Sequence, residues 1–180
     1  MSTDHNFSVV GKSLPRTDAR IKAVGAAQYA DDISLPGMLH GKLLRSPVAH
    51  ALIKSIDTSA AEALPGVKCV ITGQDIPKIK YGNWRLVPES QDEFALAIDK
   101  VRFIGDEVAA VAAIDKDIAE VAINLIKVEY EELPGAYTVE DSLVDGAPVI
   151  HDEYKQKVPN ISLDRTIDYG DLNKAFADAD

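Results

Sequence analysis

The stretch VRFIGDEVAAVAA, residues 101 to 113, sets two adjacent carboxylates, Asp106 and Glu107, directly after Gly105 and between two apolar runs. Two acids can serve as an acid-base pair on one bond, or hold one divalent ion, only if they converge. Neighbours in a strand point to opposite faces, so convergence here requires the backbone to turn. Gly105 permits a turn or bulge that re-aims side chains. The pattern fits better with a strand entry, where Gly105 allows close backbone approach and one acid faces solvent. Other chemistries have less to stand on. The G-x-S-x-G elbow of a nucleophilic hydrolase is absent, as are G-x-G-x-x-G and the P-loop. His5, His40, His50 and His151 are scattered and Cys69 is the only cysteine, a poor ligand supply for zinc. On these grounds no residue is expected to be catalytic, cofactor-binding or metal-binding in this chain. A small acid-base enzyme built on Asp106 and Glu107 stands as a minor reading.

The elements that must position these acids belong to a chain of 180 residues, 46% hydrophobic, enough for a real core. The net charge of -10 repels phosphate backbones and anionic lipid, so neither nucleic acid nor a membrane is expected as a partner. Charge is uneven. Residues 1–80 carry ten Lys or Arg and seven Asp or Glu, whereas residues 81–180 carry nine and twenty-two. Cys69, within VKCVIT, is expected as a buried strand residue, since it behaves as a small hydrophobe with nothing near it to activate the thiol. One cysteine forms no internal disulfide, the N-terminus lacks a signal pattern, and no segment approaches the ~20 apolar residues of a membrane span. A cytoplasmic protein is expected.

Residues 1–28 mix polar residues with Gly11, Pro15 and Gly25 and read as an extended arm with at most short pairing strands. Strands are expected at 40–46 and 51–57, separated by Pro47. Ser59 with Glu62 has the form of a capping box for a helix from Ser59 to Leu64, ending at Pro65-Gly66, and VKCVI at 67–71 follows as a strand. The order recurs. A strand at 108–114 leads to Asp115 or Asp117 as cap, then a helix over Lys116–Leu125 whose Ile118, Val121, Ala122 and Leu125 form one core-facing stripe. A strand at 128–130 closes at Leu133-Pro134-Gly135. Two strand-helix-strand units of short elements imply an α+β fold. Between them, residues 78–97 form a long loop carrying Trp84, read either as an anchor onto its own domain or as an interface anchor. Residues 136–180 show few apolar runs, and the chain end has the look of a cut.

In order, G-K-S-L-P-R-x-D near 11–18, Y-A-D-D-I at 29–33, L-R-S-P-V-A-H-A at 44–51, I-K-S-I-D-T-S-A-A at 53–61, V-R-F-I-G-D-E-V-A-A-V-A-A, I-K-V-E-Y-E-E-L-P and G-D-L-N-K-A-F-A-D-A-D resemble the start of the large, molybdenum-carrying subunit of the xanthine dehydrogenase and aldehyde oxidase family. The resemblance covers nearly the whole chain, from about Val10 to Asp180. It implies an alpha/beta hammerhead domain with two main helices, spanning 29–135 between the arm and an extension at 136–180 that leads into a molybdopterin-binding domain. Full members act on aromatic heterocycles, aldehydes or thioesters at a molybdenum-pterin cofactor, with iron-sulfur and often flavin partner subunits. The family's pterin-contacting segments and catalytic glutamate lie beyond the matched part, so none is carried onto a residue here. Within the family, A-L-A-I-D-K-V-R-F-I-G-D and I-D-K-D-I-A-E look most like the 4-hydroxybenzoyl-CoA reductase branch. Where many relatives have a glutamine after the glycine, this chain has Asp106. The resemblance thus implies a scaffolding domain, inactive alone and prone to self-association through surfaces left uncovered; the alternative is a freestanding interaction or assembly module.

Overall fold

The structure is a computed structural model that describes residues 7–82, 91–152, 158, 160–162, 166–167 and 169–179. Trp84, and with it both readings of its loop, lies outside the described residues. Two compact units are present, one ending at Met38 and one running from Leu39.

In the first unit, helix α1 spans Ala19–Ala23 and a single 3-10 turn spans Ala30–Asp32. An extended arm was the expectation. The turn forms because ARIKA is made largely of helix formers, and Asp18 ties it with an ion pair to Lys22 at 2.6 Å and another to Arg16 at 3.2 Å. None of the described residues in this unit is buried.

Among the described residues, the second unit holds six strands in two three-stranded antiparallel sheets. Strands β1 (His40–Arg45), β5 (Glu107–Ala113) and β3 (Val67–Thr72) form the first sheet in the order β1-β5-β3. Strands β4 (Lys100–Val101), β2 (Ala51–Asp57) and β6 (Lys127–Glu132) form the second in the order β4-β2-β6. Each strand-helix-strand pass therefore changes sheet: β2, α2 (Ser59–Glu62) and β3 go one way, and β5, α3 (Lys116–Leu125) and β6 return. The helices pack on the first sheet over Ala61, Ala109, Val111, Ala122 and Ile126. A second cluster, Ala51, Ala97, Val101 and Val108, lies against the second sheet, and Ile56 and Val128 touch both clusters. The segment 96–101 fastens the sheets together. Ala97 N donates to Glu107 O at 2.6 Å and Ile53 N to Asp99 O at 2.8 Å. This crossing runs so close to Gly73 that a Cβ there would collide with the Ala97 carbonyl oxygen.

Three local expectations need correction. The α3 stripe holds at Ala122 and Leu125, which pack in the core, and at half-buried Ile118, but not at Val121, which is 50% exposed while Ala119 is wholly buried in its place. Close approach to the alanine-rich β5 favours the helix face with the smallest side chains. Cys69 is exposed. It lies on edge strand β3, where Val67 and Val70 face the helices and a register shift between Val67 and Cys69 turns Lys68 and Cys69 outward. The Ser59 capping box does not form, because the Asp57 carboxylate, a stronger acceptor, takes Ser59 N at 3.0 Å and Ser59 Oγ at 2.6 Å, leaving Glu62 to Thr58 Oγ1 at 2.6 Å. The C-terminal region carries two short helices, α4 (Val139–Leu143) and α5 (Leu172–Ala177), capped by Thr138 and Asp171. There Asn160 pins the chain, accepting from Ile150 N at 3.1 Å and donating to Ser142 O and Pro148 O at 3.0 and 2.8 Å.

Candidate functional site

The loop between β4 and β5 is where the sequence places its acids, and the geometry there separates them. Gly105, at φ +99°, reverses the chain in a conformation that suits glycine. A Cβ on Gly105 would meet nothing within 4 Å, so the glycine is used for its dihedral and not for the close approach expected of it. After this turn, Asp106 points back across the loop, its Oδ2 accepting from Arg102 N at 2.9 Å. Glu107 points away and pairs through Oε1 with Arg45 Nη1 at 2.7 Å. The same guanidinium donates to Gly105 O at 2.8 Å. Ser46 completes the clamp: its N donates to Asp106 O and its O accepts from Gly105 N, both at 2.8 Å. The R-S-P run at the end of β1 thus holds the loop, and the two carboxylates serve different contacts.

Asp106 also lines a cleft of about 270 Å³ with Asp92, Glu93, Phe94, Lys100, Arg102, Phe103 and His151. Burial pushes the Asp106 carboxyl above its usual range; the Arg102 amide opposes this and the Glu107 charge adds to it. Glu93 is raised in the same sense by desolvation and then by Asp92, Glu107 and Asp106, with His151 opposing. The nitrogen-bearing side chains of the cleft are engaged. Lys100, 7% exposed, places Nζ 2.8 Å from Asp152 Oδ1, and His151 Nε2 sits 3.7 Å from Asp92 Oδ2. Residues 151–152 therefore reach back onto the cleft from far along the sequence. No spacing in the sequence joins residue 92 to residue 151; the second sheet and the chain after β6 bring them together.

The remaining histidines stay apart. His40 lies on β1 opposite Ala113, and His5 lies outside the described residues. His50 is 7% exposed and holds the exit from β6, with Nδ1 2.6 Å from Pro134 O and its carbonyl accepting from Leu133 N at 2.8 Å. Among the described residues, no three His, Cys, Asp or Glu side chains are grouped to hold a metal ion. A molybdenum-pterin cofactor brings phosphate; Asp92, Glu93 and Asp106 would repel it, while of the cations beside them Lys100 is already paired with Asp152 and Arg102 donates to the Lys100 carbonyl. The described residues do not fit that group, and no chemical step is assigned to them through it.

A two-sheet α+β unit with sheet-swapping passes thus carries a clamped loop beside a cleft. The chain belongs to the family described as "Aldehyde oxidase and xanthine dehydrogenase, a/b hammerhead domain", which residues 24–134, more than half of it, match. In particular, the nicotinate dehydrogenase large molybdopterin subunit of Eubacterium barkeri is 38% identical over 175 residues, covering 97% of this chain and 39% of that protein. The carbon monoxide dehydrogenase large chain of Hydrogenophaga pseudoflava is 37% identical over 173 residues, 93% of this chain and 21% of that one. Among solved structures, the aldehyde oxidoreductase from Desulfovibrio desulfuricans ATCC 27774 superposes with a TM-score of 0.81 at 30% identity, over 94% of this chain and 19% of that chain. The chain spans about two fifths or less of the length of these relatives. Among the described residues no helix is long and apolar enough to cross a membrane.

Proposed function

We propose that this chain works as the hammerhead scaffold of a molybdenum-cofactor oxidoreductase large subunit, packing against the domains that hold the cofactor and forming part of the wall of the substrate approach. One observation carries the reading: large molybdenum-enzyme subunits match 97% and 93% of this chain, while the chain accounts for 39% and 21% of them. In this reading the chain alone has no catalytic, cofactor-binding or metal-binding residue. Its parts are an arm at 1–28, the hammerhead at 29–135 and a connection at 136–180 into a molybdopterin-binding domain. Its partners are those domains and iron-sulfur and flavin subunits, in the cytoplasm. At the finer level we read the 4-hydroxybenzoyl-CoA reductase branch, supported by the residues quoted for it above.

Elemental analysis of the longest natural product of the gene tests the class. Molybdenum near one per subunit is expected, with iron only where the iron-sulfur subunits copurify and turnover of an aromatic CoA thioester marking the finer branch. A product lacking molybdenum sinks the reading in favour of a freestanding assembly module with the same fold. The isolated chain, with Ile167, Tyr169 and Phe176 at least 80% exposed, should self-associate, and a strict monomer in sedimentation across a wide concentration range would count against that.

A further inference from the structure

The loop Arg102–Asp106 is held more firmly than an ordinary surface turn. Five hydrogen bonds hold it: Arg102 N to Asp106 Oδ2 at 2.9 Å, Asp106 N to Phe103 O at 3.2 Å, Gly105 N to Ser46 O at 2.8 Å, Ser46 N to Asp106 O at 2.8 Å and Arg45 Nη1 to Gly105 O at 2.8 Å. Yet what this clamp presents is apolar, with Phe103 45% and Ile104 67% exposed. A concavity lies on each side. One is the acidic cleft of about 270 Å³, and the other, about 230 Å³, has Ala136, Tyr137 and Ile150 in its wall together with His50. Arg102 and Phe103 line both. His50 is more than nine-tenths buried, and its Nε2 has no hydrogen-bond partner among the described residues. A pre-ordered loop carrying an exposed aromatic and an aliphatic side chain has already met the entropic cost of immobilisation that weakens flexible contacts. Such a pair, flanked by pockets, is the form of a binding anchor.

We propose that Arg102–Asp106 is the knob by which this domain docks onto the remainder of its large subunit. The facing surface supplies an apolar pocket for Phe103 and Ile104, rimmed by a lysine or arginine that enters the cleft of Asp92, Glu93 and Asp106. Charge selects this occupant: a second copy, at net -10, would set one acidic cleft against another, whereas a basic rim complements it. The length of the relatives supplies the polypeptide, since more than three fifths of each lies outside the part matched here. The proposal rests on the reading of this chain as one part of a longer subunit.

The test uses the full-length gene product carrying Phe103→Ser with Ile104→Ser, read by limited proteolysis as the rate at which the hammerhead is released. Release about tenfold faster or more than in the wild type is expected, with amide exchange in β5 unchanged to show that the domain itself stays folded. Ile104→Lys is the second variant, at a side chain two-thirds exposed, should the double substitution unfold the domain. Glu93→Lys should accelerate release by a smaller factor that fades at high salt. Release of the serine and lysine variants at the wild-type rate overturns the proposal, and so does a wild-type domain that is already released freely. Metal analysis of the same wild-type sample scores the proposed function separately: protected but molybdenum-free protein would sink that reading and leave the docking loop standing.

Discussion

Residues 7–38 and the compact unit that begins at Leu39 put their apolar side chains to opposite uses. In the first, Val9, Val10, Leu14, Val24 and Leu35 are all more than half exposed and nothing described is buried. In the second, Ala51, Ala61, Ala109, Ala113, Ala119 and Ala122 are wholly buried, and the largest fully buried side chains are only Val101 and Val108. Large groups lie outside and small ones inside. The hammerhead gains its order from close backbone approach between helix and sheet and between the two sheets, which small side chains permit and large ones would block. The described residues of the N-terminal unit include no strand, so their larger side chains find no interior among them.

This contrast can be broken most severely at Gly73. Gly73→Ala drives a methyl into the Ala97 carbonyl at the crossing that fastens the sheets, and should cost about 3 kcal/mol in urea denaturation. A variant as stable as the wild type would show that the 96–101 crossing is not a rigid fastener. Next is Asp115→Ala. Asp115 Oδ1 accepts from Asp117 N at 2.7 Å and Ile118 N at 3.4 Å, and removing that cap from α3 should cost about 1 kcal/mol.

A smaller effect is expected at Asp106. Its carboxyl is raised in the folded state, so between the ordinary carboxylate range and that raised value the native protein binds more protons than the unfolded chain. Stability contributed by the protonated acid is therefore lost as pH rises through this window. Asp106→Asn keeps an oxygen for the Arg102 amide and should flatten the slope of stability against pH above about pH 4; an unchanged slope would assign it to Glu93, which is raised in the same sense. Asp57 and Asp75 are lowered by hydrogen bonds from Ser59 and Thr72, so their contribution has the opposite sign and is lost as pH falls. The smallest effect belongs to the other region. Val24→Ser, at a side chain 69% exposed, should change the unfolding free energy of this chain by less than about 0.5 kcal/mol. A larger loss would mean that the N-terminal unit is covered after all.

What the sequence disclosed follows the same division. Strand and helix spans from His40 to Glu132, apart from the two-residue β4, were legible because short apolar runs are bracketed by Pro47, Pro65-Gly66 and Leu133-Pro134, and Asp115 announces α3. Facing was harder to read. Periodicity weighted by hydrophobicity chose Val121 over Ala119, and the apolar company of Cys69 hid its position on an edge strand with a register shift. The parting of Asp106 from Glu107 was foreseeable from strand alternation, but the cleft was not, since Lys100, Asp92 and His151 meet only through long-range pairing. The caps Thr138 and Asp171 were local signals for α4 and α5, overlooked because helices so short carry almost no apolar stripe.

The exchange of sheets by both strand-helix-strand passes governs how the molecule can be made. β1 and β3 wait for β5, and β2 waits for β6, so neither sheet can close while the ribosome has yet to deliver residues 107–132. Such high contact order favours slow, late, all-at-once collapse over stepwise growth, and a nascent chain stalled near residue 100 should remain open to proteases and chaperones along its whole length.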